Sequence, residues 1–470
     1  MRIEKRWEEV FKGKKITMLG LGLLGRGMNV ARFLADCGAI LTITDLKTKE
    51  ALAPSLRALK KYKNIRYVLG RHEISDFQHV DMVIKAAGVP LDSPCIREAR
   101  KHKIPVEMDA SLFARLAPAR APRAGGPKGV TIVGVTGTRG KSTVSHLIHH
   151  IISRRVLDID SARRVFLAGN IPGTATLPLL KKVKMGDIVV LELDSWQLQG
   201  WGDAKLSPHV AVFTTFFPDH LNYYKGNLRR YFADKAHIFL NQKKEDIFIV
   251  GDGIPAVLKK YGYSPRAKMV RGIPWKGKTG LLGAHNRKNI GLAVLACRAL
   301  GVSEKEIKKG VESFKGVPGR LEFVREIRGV KYYNDTTATS PEGLYAALDA
   351  LSEKKKPKQR NIILLAGGAD KGFEYRPVAE RMHKSVKALI LFKGTGTDKI
   401  VAALPKKKTY PFFIVGSMKE ALKYAVICSD KSNIVLLSPG TASFGVFKNE
   451  YDRGDQFVRL VKNIKTRKDK

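Results

Sequence analysis

The sequence predicts an α/β protein of three domains built on mostly parallel sheets, and three observations carry that expectation. The chain has 470 residues, which divides into about three units at roughly 150 residues per domain. Short β-rich runs alternate with amphipathic helical patterns along almost all of it, the order a parallel sheet demands. Several apolar runs end in a glycine-containing turn, the form of ligand loops at the carboxyl ends of open sheets.

The elements follow in order. ITMLG (Ile16 to Gly20), ILTITD (Ile40 to Asp45) and VDMVIKAAG (Val80 to Gly88) read as strands. LAPARAPRAGGPKG (Leu116 to Gly129) is rich in Pro, Gly and Ala without periodicity, so it reads as a linker closing a first domain at residues 1–120. VTIVGV (Val130 to Val135), DIVVLEL (Asp187 to Leu193) and VAVFTT (Val210 to Thr215) are strands of a second domain, residues 121–316, which also holds the helical segment NIGLAVLACRAL. FKGVPGR (Phe314 to Arg320) reads as the next hinge. In the third domain, residues 317–470, NIILLAGG (Asn361 to Gly368), ALILFKGTG (Ala388 to Gly396) and NIVLLSPG (Asn433 to Gly440) each run from strand into turn.

Composition narrows the class. Hydrophobic residues are 44% and charged residues 27%, a balance that excludes disorder, collagen and a disulfide scaffold. No apolar stretch approaches the roughly 18 residues of a membrane span, and the N-terminal MRIEKRWEEVFKGKK has no signal-peptide core. Cys37, Cys95, Cys297 and Cys428 are scattered, so neither a disulfide frame nor a zinc site is expected and a cytoplasmic location is. The 85 Lys plus Arg exceed the 43 Asp plus Glu by 42 charges. They are spread over the whole chain and condense only in KKKPKQR and the tail KNIKTRKDK, so a solvated basic surface is expected and no specific nucleic acid.

Gly20, Gly22 and Gly25 form G-x-G-x-x-G after a strand, and Asp45 ends the next strand. Such glycines let a diphosphate approach the backbone at a helix N-terminus, and an acidic residue there could bond a ribose hydroxyl. Taken alone, the motif suggests a dinucleotide oxidoreductase or a tight turn without ligand. GVTGTRGKST (Gly134 to Thr143) lies between a strand and a helical pattern, so its N–H groups would converge on phosphate oxygens. Lys141 would neutralise β and γ phosphates and Ser142 would hold Mg²⁺, although Gly134 sits one place too early for the usual spacing. Glu192 ends the strand in LELDSWQL and could hold Mg²⁺. His220, in FFPDHLNYY, is a softer ligand. Lys235, in RRYFADKAHIFL, shares a helical face with Phe232, Ala236 and Phe239, and a lysine there commonly lays its stem on the core and snorkels its amine.

GVTGTRGKST, ELDSWQL, Asp219-His220, AHNRKN, VPGRLEF, NDTTAT and SPGTASFGVFKN stand in the order seen in the Mur ligases of peptidoglycan synthesis, and the sequence resembles that family over nearly its whole length. GKST and the E-L-x-S-aromatic-Q-L run resemble its glutamate-adding branch. The resemblance implies ATP-dependent amide ligation through an acyl phosphate, with UDP-N-acetylmuramoyl-L-alanine, D-glutamate and ATP as substrates, Mg²⁺ as cofactor and a monomer as the working form. It also implies a Rossmann-like UDP-binding domain, a central P-loop ATPase domain and a C-terminal Rossmann-like domain.

Residue by residue, the resemblance assigns Gly20, Gly22, Leu23, Gly25, Asp45, Leu46 and Gly88, with Asn170 of AGNIP and His220, to the UDP substrate. Gly137, Thr138, Gly140, Lys141, Ser142, Thr143, Asn286, Asn289, Arg320 and Asp335 fall to ATP. Ser142, Glu192, His220 and Lys235 fall to metal, Lys235 as a CO₂-derived carbamate, with Lys141, His220 and Lys235 in catalysis. Thr339, Lys371 and Ser443 fall to D-glutamate. The pattern is broken where Arg139 replaces Asn, Thr337 replaces the lysine of N-D-S-K-A-T, KAAG (Lys85 to Gly88) replaces S-P-G, and Glu450 precedes Tyr451 at a usually aromatic position. Two other classes remain open. A folylpolyglutamate-synthase-like ligase would not need the first glycine-rich domain, and a nucleic-acid-associated ATPase would leave Lys235, HNRKN and NDTTAT without a role.

Overall fold

The computed structural model describes residues 6–118, 129–158, 164–352 and 360–464. The chain forms two compact units, residues 1–275 with 288–311 and residues 276–287 with 312–470. Most of the expected 116–129 linker, the KKKPKQR run and the basic tail lie outside the described residues.

The first unit holds two sheets. Strands β1 (Lys15–Leu19), β2 (Ile40–Asp45), β3 (Ile65–Leu69), β4 (Met82–Lys85) and β5 (Val106–Glu107) form a parallel sheet in the order β3-β2-β1-β4-β5. Strands β6 (Thr131–Thr136), β7 (Val165–Gly169), β8 (Ile188–Glu192), β9 (Val210–Phe213), β10 (Ile247–Val250) and β11 (Lys268–Arg271) form a second, also parallel, in the order β11-β10-β9-β6-β8-β7. Every residue of β8 and β9 is buried, as expected of strands covered on both faces. The order reverses beside β1 and beside β6, and the two glycine loops leave at those strands, where open sheets place ligands.

The second unit contains β12 (Glu322–Ile327), β13 (Val330–Asn334), β14 (Ile362–Ala366), β15 (Val386–Phe392), β16 (Phe412–Val415) and β17 (Ile434–Leu437), ordered β12-β13-β17-β14-β15-β16. Only β12 runs antiparallel, joined to β13 through Arg328 and Gly329, both at positive φ. That is the backbone a two-residue hairpin turn requires. The sequence pattern missed this hairpin, because Arg325, Glu326 and Arg328 interrupt the apolar run. The strand expected at Val80 to Gly88 is confined to Met82–Lys85, since the following residues leave the sheet as a turn.

Candidate active site

The first glycine loop joins β1 to the helix Arg26–Asp36. Gly20, Gly22 and Gly25 have φ of 96°, 67° and 80°, a region in which a side chain is strained. A Cβ on Gly20 would also lie 2.9 Å from that of Ala86, in the turn that leads to Gly88. Asp45 closes the loop from below: Oδ2 accepts the N–H groups of Leu21 and Gly22 at 2.9 and 3.0 Å, and Oδ1 that of Lys47 at 2.9 Å. Burial raises the Asp45 pKa, but the three backbone donors outweigh it and hold the carboxyl below its ordinary range. Its carboxylate therefore shapes the loop, which a ribose-bonding role taken from the motif did not anticipate. Leu23 and Leu46 are exposed at the mouth.

Asn170 follows β7 and meets the same loop. Its Oδ1 accepts Arg26 Nη2 at 3.1 Å, while Gly173 N–H donates to the Leu24 carbonyl and Asn29 Nδ2 to the Gly173 carbonyl, each at 2.9 Å. Arg26 and Asn29 were not singled out from sequence. Their position on the first helical turn after G-x-G-x-x-G was the available signal.

The second loop joins β6 to the helix Lys141–Asp158. Gly137 has φ 140° and a Cβ there would lie 2.0 Å from Thr214 Oγ1, whereas one on Gly140 would lie 2.4 Å from Asn289 Oδ1. The loop is clamped by the end of β9: Thr138 N–H donates to the Thr215 carbonyl, Arg139 N–H to Thr215 Oγ1, and both Thr214 and Thr215 hydroxyls to the Arg139 carbonyl. Sequence reasoning placed both threonines at the end of the strand VAVFTT and missed that they clamp the loop. Ser142 and Thr143 are buried at the first helical turn.

Two lysines converge on this loop. Lys141 Nζ donates to the carbonyls of Gly137 and Thr138 at 3.0 and 3.2 Å. Lys235, on the helix Leu228–Leu240, donates to the same Gly137 carbonyl at 3.0 Å. Its amine lies 4.9 Å from the centroid of the Tyr231 ring, and Tyr231 OH is 3.3 Å from Thr138 Oγ1. Lys235 is only 2% exposed, so it does not snorkel. Burial, and then the Lys141 charge, push its pKa well below the ordinary value, against the pull of Asp194, Asp219 and Asp234.

Glu192, at the end of β8, is 3% exposed. It sits beside Asn170, whose N–H donates to the Glu192 carbonyl at 2.7 Å. His220 has φ 52°, its N–H donates to Asp219 Oδ1, and its ring packs 4.7 Å from Trp196. Burial lowers the imidazole pKa, favouring the neutral ring a metal can use. Arg139 Nη1 reaches Asp219 Oδ2 at 3.8 Å. Among the described residues, no group of three or more His, Cys, Asp or Glu side chains is placed to hold a metal unaided.

In the second unit, Asp335 follows β13 and is buried. It accepts the Leu321 N–H at 3.0 Å and the Ser438 hydroxyl at 2.7 Å, and burial raises its pKa to about 7. Arg320 is exposed beside it and lowers that value somewhat. Lys371 Nζ donates to Thr339 Oγ1 at 3.3 Å, and the bridge between Ala369 and Ala442 brings the buried Ser443 to the same end of the sheet. Thr339, Lys371 and Ser443 are thus gathered. Thr337 gives its hydroxyl to the Gly319 carbonyl at 2.9 Å, and the fully buried Arg453 holds Thr336 through its hydroxyl and carbonyl at 3.1 and 2.9 Å. Asn286 donates to the Leu282 carbonyl at the start of the helix Ala284–Ala299, which also carries Asn289.

Comparison with known proteins agrees with this geometry. Residues 14–107 match the MurD-like N-terminal domain of Mur ligases, 135–260 the Mur ligase middle domain, and 319–440 the Mur ligase glutamate ligase domain. The UDP-N-acetylmuramoylalanine–D-glutamate ligase of Roseiflexus sp. (strain RS-1) is 36% identical over 490 residues, covering 96% of this chain and 99% of the relative. The enzyme of the same name from Borreliella burgdorferi (strain ZS7) is 32% identical over 96% of this chain and 98% of its own. Among solved structures, UDP-N-acetylmuramate-alanine ligase MurC from Thermotoga maritima superposes with a TM-score of 0.61 at 18% identity, over 96% of this chain and all of that one. At that identity the likeness speaks for the fold.

Proposed function

The chain belongs to the Mur ligase family, and from that premise we propose that it joins D-glutamate to UDP-N-acetylmuramoyl-L-alanine, with ATP hydrolysed to ADP and phosphate, in peptidoglycan precursor synthesis. The observation that carries the reading is the pair of lysines on one carbonyl of the glycine loop, one at its rim and one buried beneath it. A carboxylate resists attack by an amine because its leaving group would be oxide. The alanyl carboxylate therefore takes the γ-phosphoryl group of ATP, and the D-glutamate amine displaces phosphate from the acyl phosphate.

Phosphoryl transfer needs mostly positioning and charge neutralisation. The N–H groups of residues 140 to 143, where the loop enters the helix, cradle the triphosphate, and Lys141 leaves its resting carbonyls for the β and γ oxygens. The Arg139 guanidinium adds a second cation at the loop mouth. Asn289 packs against Gly140, and Asn286, Arg320 and Asp335 serve the nucleoside side. The first glycine loop, held by Asp45 and joined to Asn170 through Arg26, takes the UDP substrate with Leu23, Leu46 and Gly88. Thr339, Lys371 and Ser443 bind the carboxylates of D-glutamate.

Magnesium fits the donors present. The buried Glu192 carboxylate and the Ser142 hydroxyl would hold it together with phosphate oxygens, the oxygen shell this ion favours, with the neutral His220 ring as a softer additional donor. When bound, it offsets charge on the transferring phosphoryl group. Lys235 is the natural site of a carbamate. Its neutral amine would form an N–C bond to CO₂ and lose a proton, turning a buried neutral group into an anion that would suit a metal. This reading expects a cytoplasmic monomer, and no helix among the described residues is long and apolar enough to cross a membrane.

The test is phosphate release with ATP, Mg²⁺ and UDP-N-acetylmuramoyl-L-alanine across a panel of amino acids. D-glutamate alone should support fast turnover and give a product heavier by one glutamyl residue. Lys141→Ala should lower turnover at least about 100-fold, the scale of losing one preorganised charge at a developing anion, with the circular dichroism spectrum unchanged. Preference for another amino acid, or turnover in Lys141→Ala close to the parent, refutes the assignment.

A further inference from the structure

Lys85 is a buried cation that the mechanism leaves unused. It is the last residue of β4, in register with Leu19 of β1. The turn after β4 and the glycine loop after β1 therefore leave the sheet side by side. They are in contact: the Ala86 N–H donates to the Leu19 carbonyl at 2.8 Å, and no side chain could stand on Gly20 without meeting Ala86. Lys85 is 3% exposed. Its amine turns back and donates to the carbonyls of Val89 at 3.0 Å and Ala87 at 3.4 Å, bridging the turn from within.

We propose that Lys85 is a positioning residue, whose ammonium staples the Ala86–Val89 turn against the glycine loop, and that the UDP-sugar substrate binds the stapled form. This rests on the assignment of that loop to the sugar nucleotide. Charge matters because bonds from an ammonium are roughly twice as strong as neutral ones, and a buried cation needs counter-charges. Asp194 and Asp203 bracket the helix Ser195–Asp203, and Asp234 lies on the helix Leu228–Leu240. All three favour the charged amine, while Arg100, itself paired with Asp203 at 3.4 Å, opposes it. Burial outweighs the carboxylates and lowers the Lys85 pKa to about 8. The staple is thus fully charged below pH 7 and lost as pH rises through 8.

Calorimetric titration of UDP-N-acetylmuramoyl-L-alanine into the full chain without ATP tests this between pH 7 and 9. The parent should lose about ten-fold in affinity across that range, the linkage expected when only the protonated form binds. Lys85→Arg, charged throughout, should bind with little pH dependence, and Lys85→Met should bind weakly at both ends. A non-hydrolysable ATP analogue bound equally by all three reports intact folding. A parent with flat affinity overturns the proposal whatever the variants do. So does Lys85→Met binding like the parent, or Lys85→Arg weakening in parallel with it. If the parent binds the ATP analogue but never this UDP-sugar, the substrate assignment itself falls, and Lys85 with it.

Discussion

Lys141 and Lys235 aim two amines at the Gly137 carbonyl, each at 3.0 Å. Two ammonium groups so near one another cannot both remain charged cheaply. Lys141 is at the rim, where water and incoming phosphate stabilise it, so the fully buried Lys235 is the one to give up its proton. Neutral, it is a nucleophile toward CO₂; as a carbamate it would turn repulsion by Lys141 into attraction. Lys235→Ala should therefore reduce turnover at least about 100-fold, since several kcal/mol of charge stabilisation depend on the missing anion. Added formate or acetate should restore part of it by occupying the vacated space. Ordinary turnover in Lys235→Ala would leave the residue a packing element, and complete indifference to added carboxylate would argue that its charge is not what matters.

At the scale of elements, two glycine loops of similar sequence differ in how tightly the fold encloses them. A Cβ at Gly137 would collide with the Thr214 hydroxyl at 2.0 Å, and φ there is 140°. At Gly22 a Cβ meets nothing within 4 Å and only the φ of 67° resists it. Gly137→Ala should abolish binding of an ATP analogue. Gly22→Ala should cost only the left-handed strain of about 1–2 kcal/mol, roughly a ten-fold loss for the UDP substrate. Equal losses in the two variants would mean that the clamp by Thr214 and Thr215 contributes nothing. These loops were legible in the sequence because glycine spacing is a local signal next to an apolar strand. The clamp, the staple at Lys85 and the buried Arg453 were not: the clamp and Arg453 join residues distant in sequence through side chains of unremarkable type, and nothing local shows that the Lys85 amine turns inward. For the same reason β6, β8 and β9 were foreseen to within a residue or two, whereas the exposed β11, Lys268–Arg271, carries little apolar pattern and was missed. Lys235 shows the limit most clearly: periodicity placed it on an apolar helix face, but only the fold shows whether the amine leaves for water or turns inward.

Across the whole molecule, the excess of 85 Lys plus Arg over 43 Asp plus Glu has two consequences of opposite sign. Like charges spread over one chain repel, so the folded state is strained electrostatically at low ionic strength. The same field draws in the substrates of the proposed reaction, a UDP-sugar, ATP and glutamate, all of which are anions. Salt screens both effects once the Debye length falls to about 10 Å, near 0.1 M. Raising NaCl from about 0.02 to 0.5 M should lift the Tm by several degrees and at the same time lower kcat/KM for the UDP-sugar roughly ten-fold, within the range electrostatic steering supplies. The saturating rate should change far less, because phosphoryl transfer takes place within the buried loop, beyond reach of the screened surface field. Thermal melts and initial rates on one salt series separate the possibilities. If Tm rises while kcat/KM stays level, the charge acts on stability alone and the basic surface has no part in substrate capture.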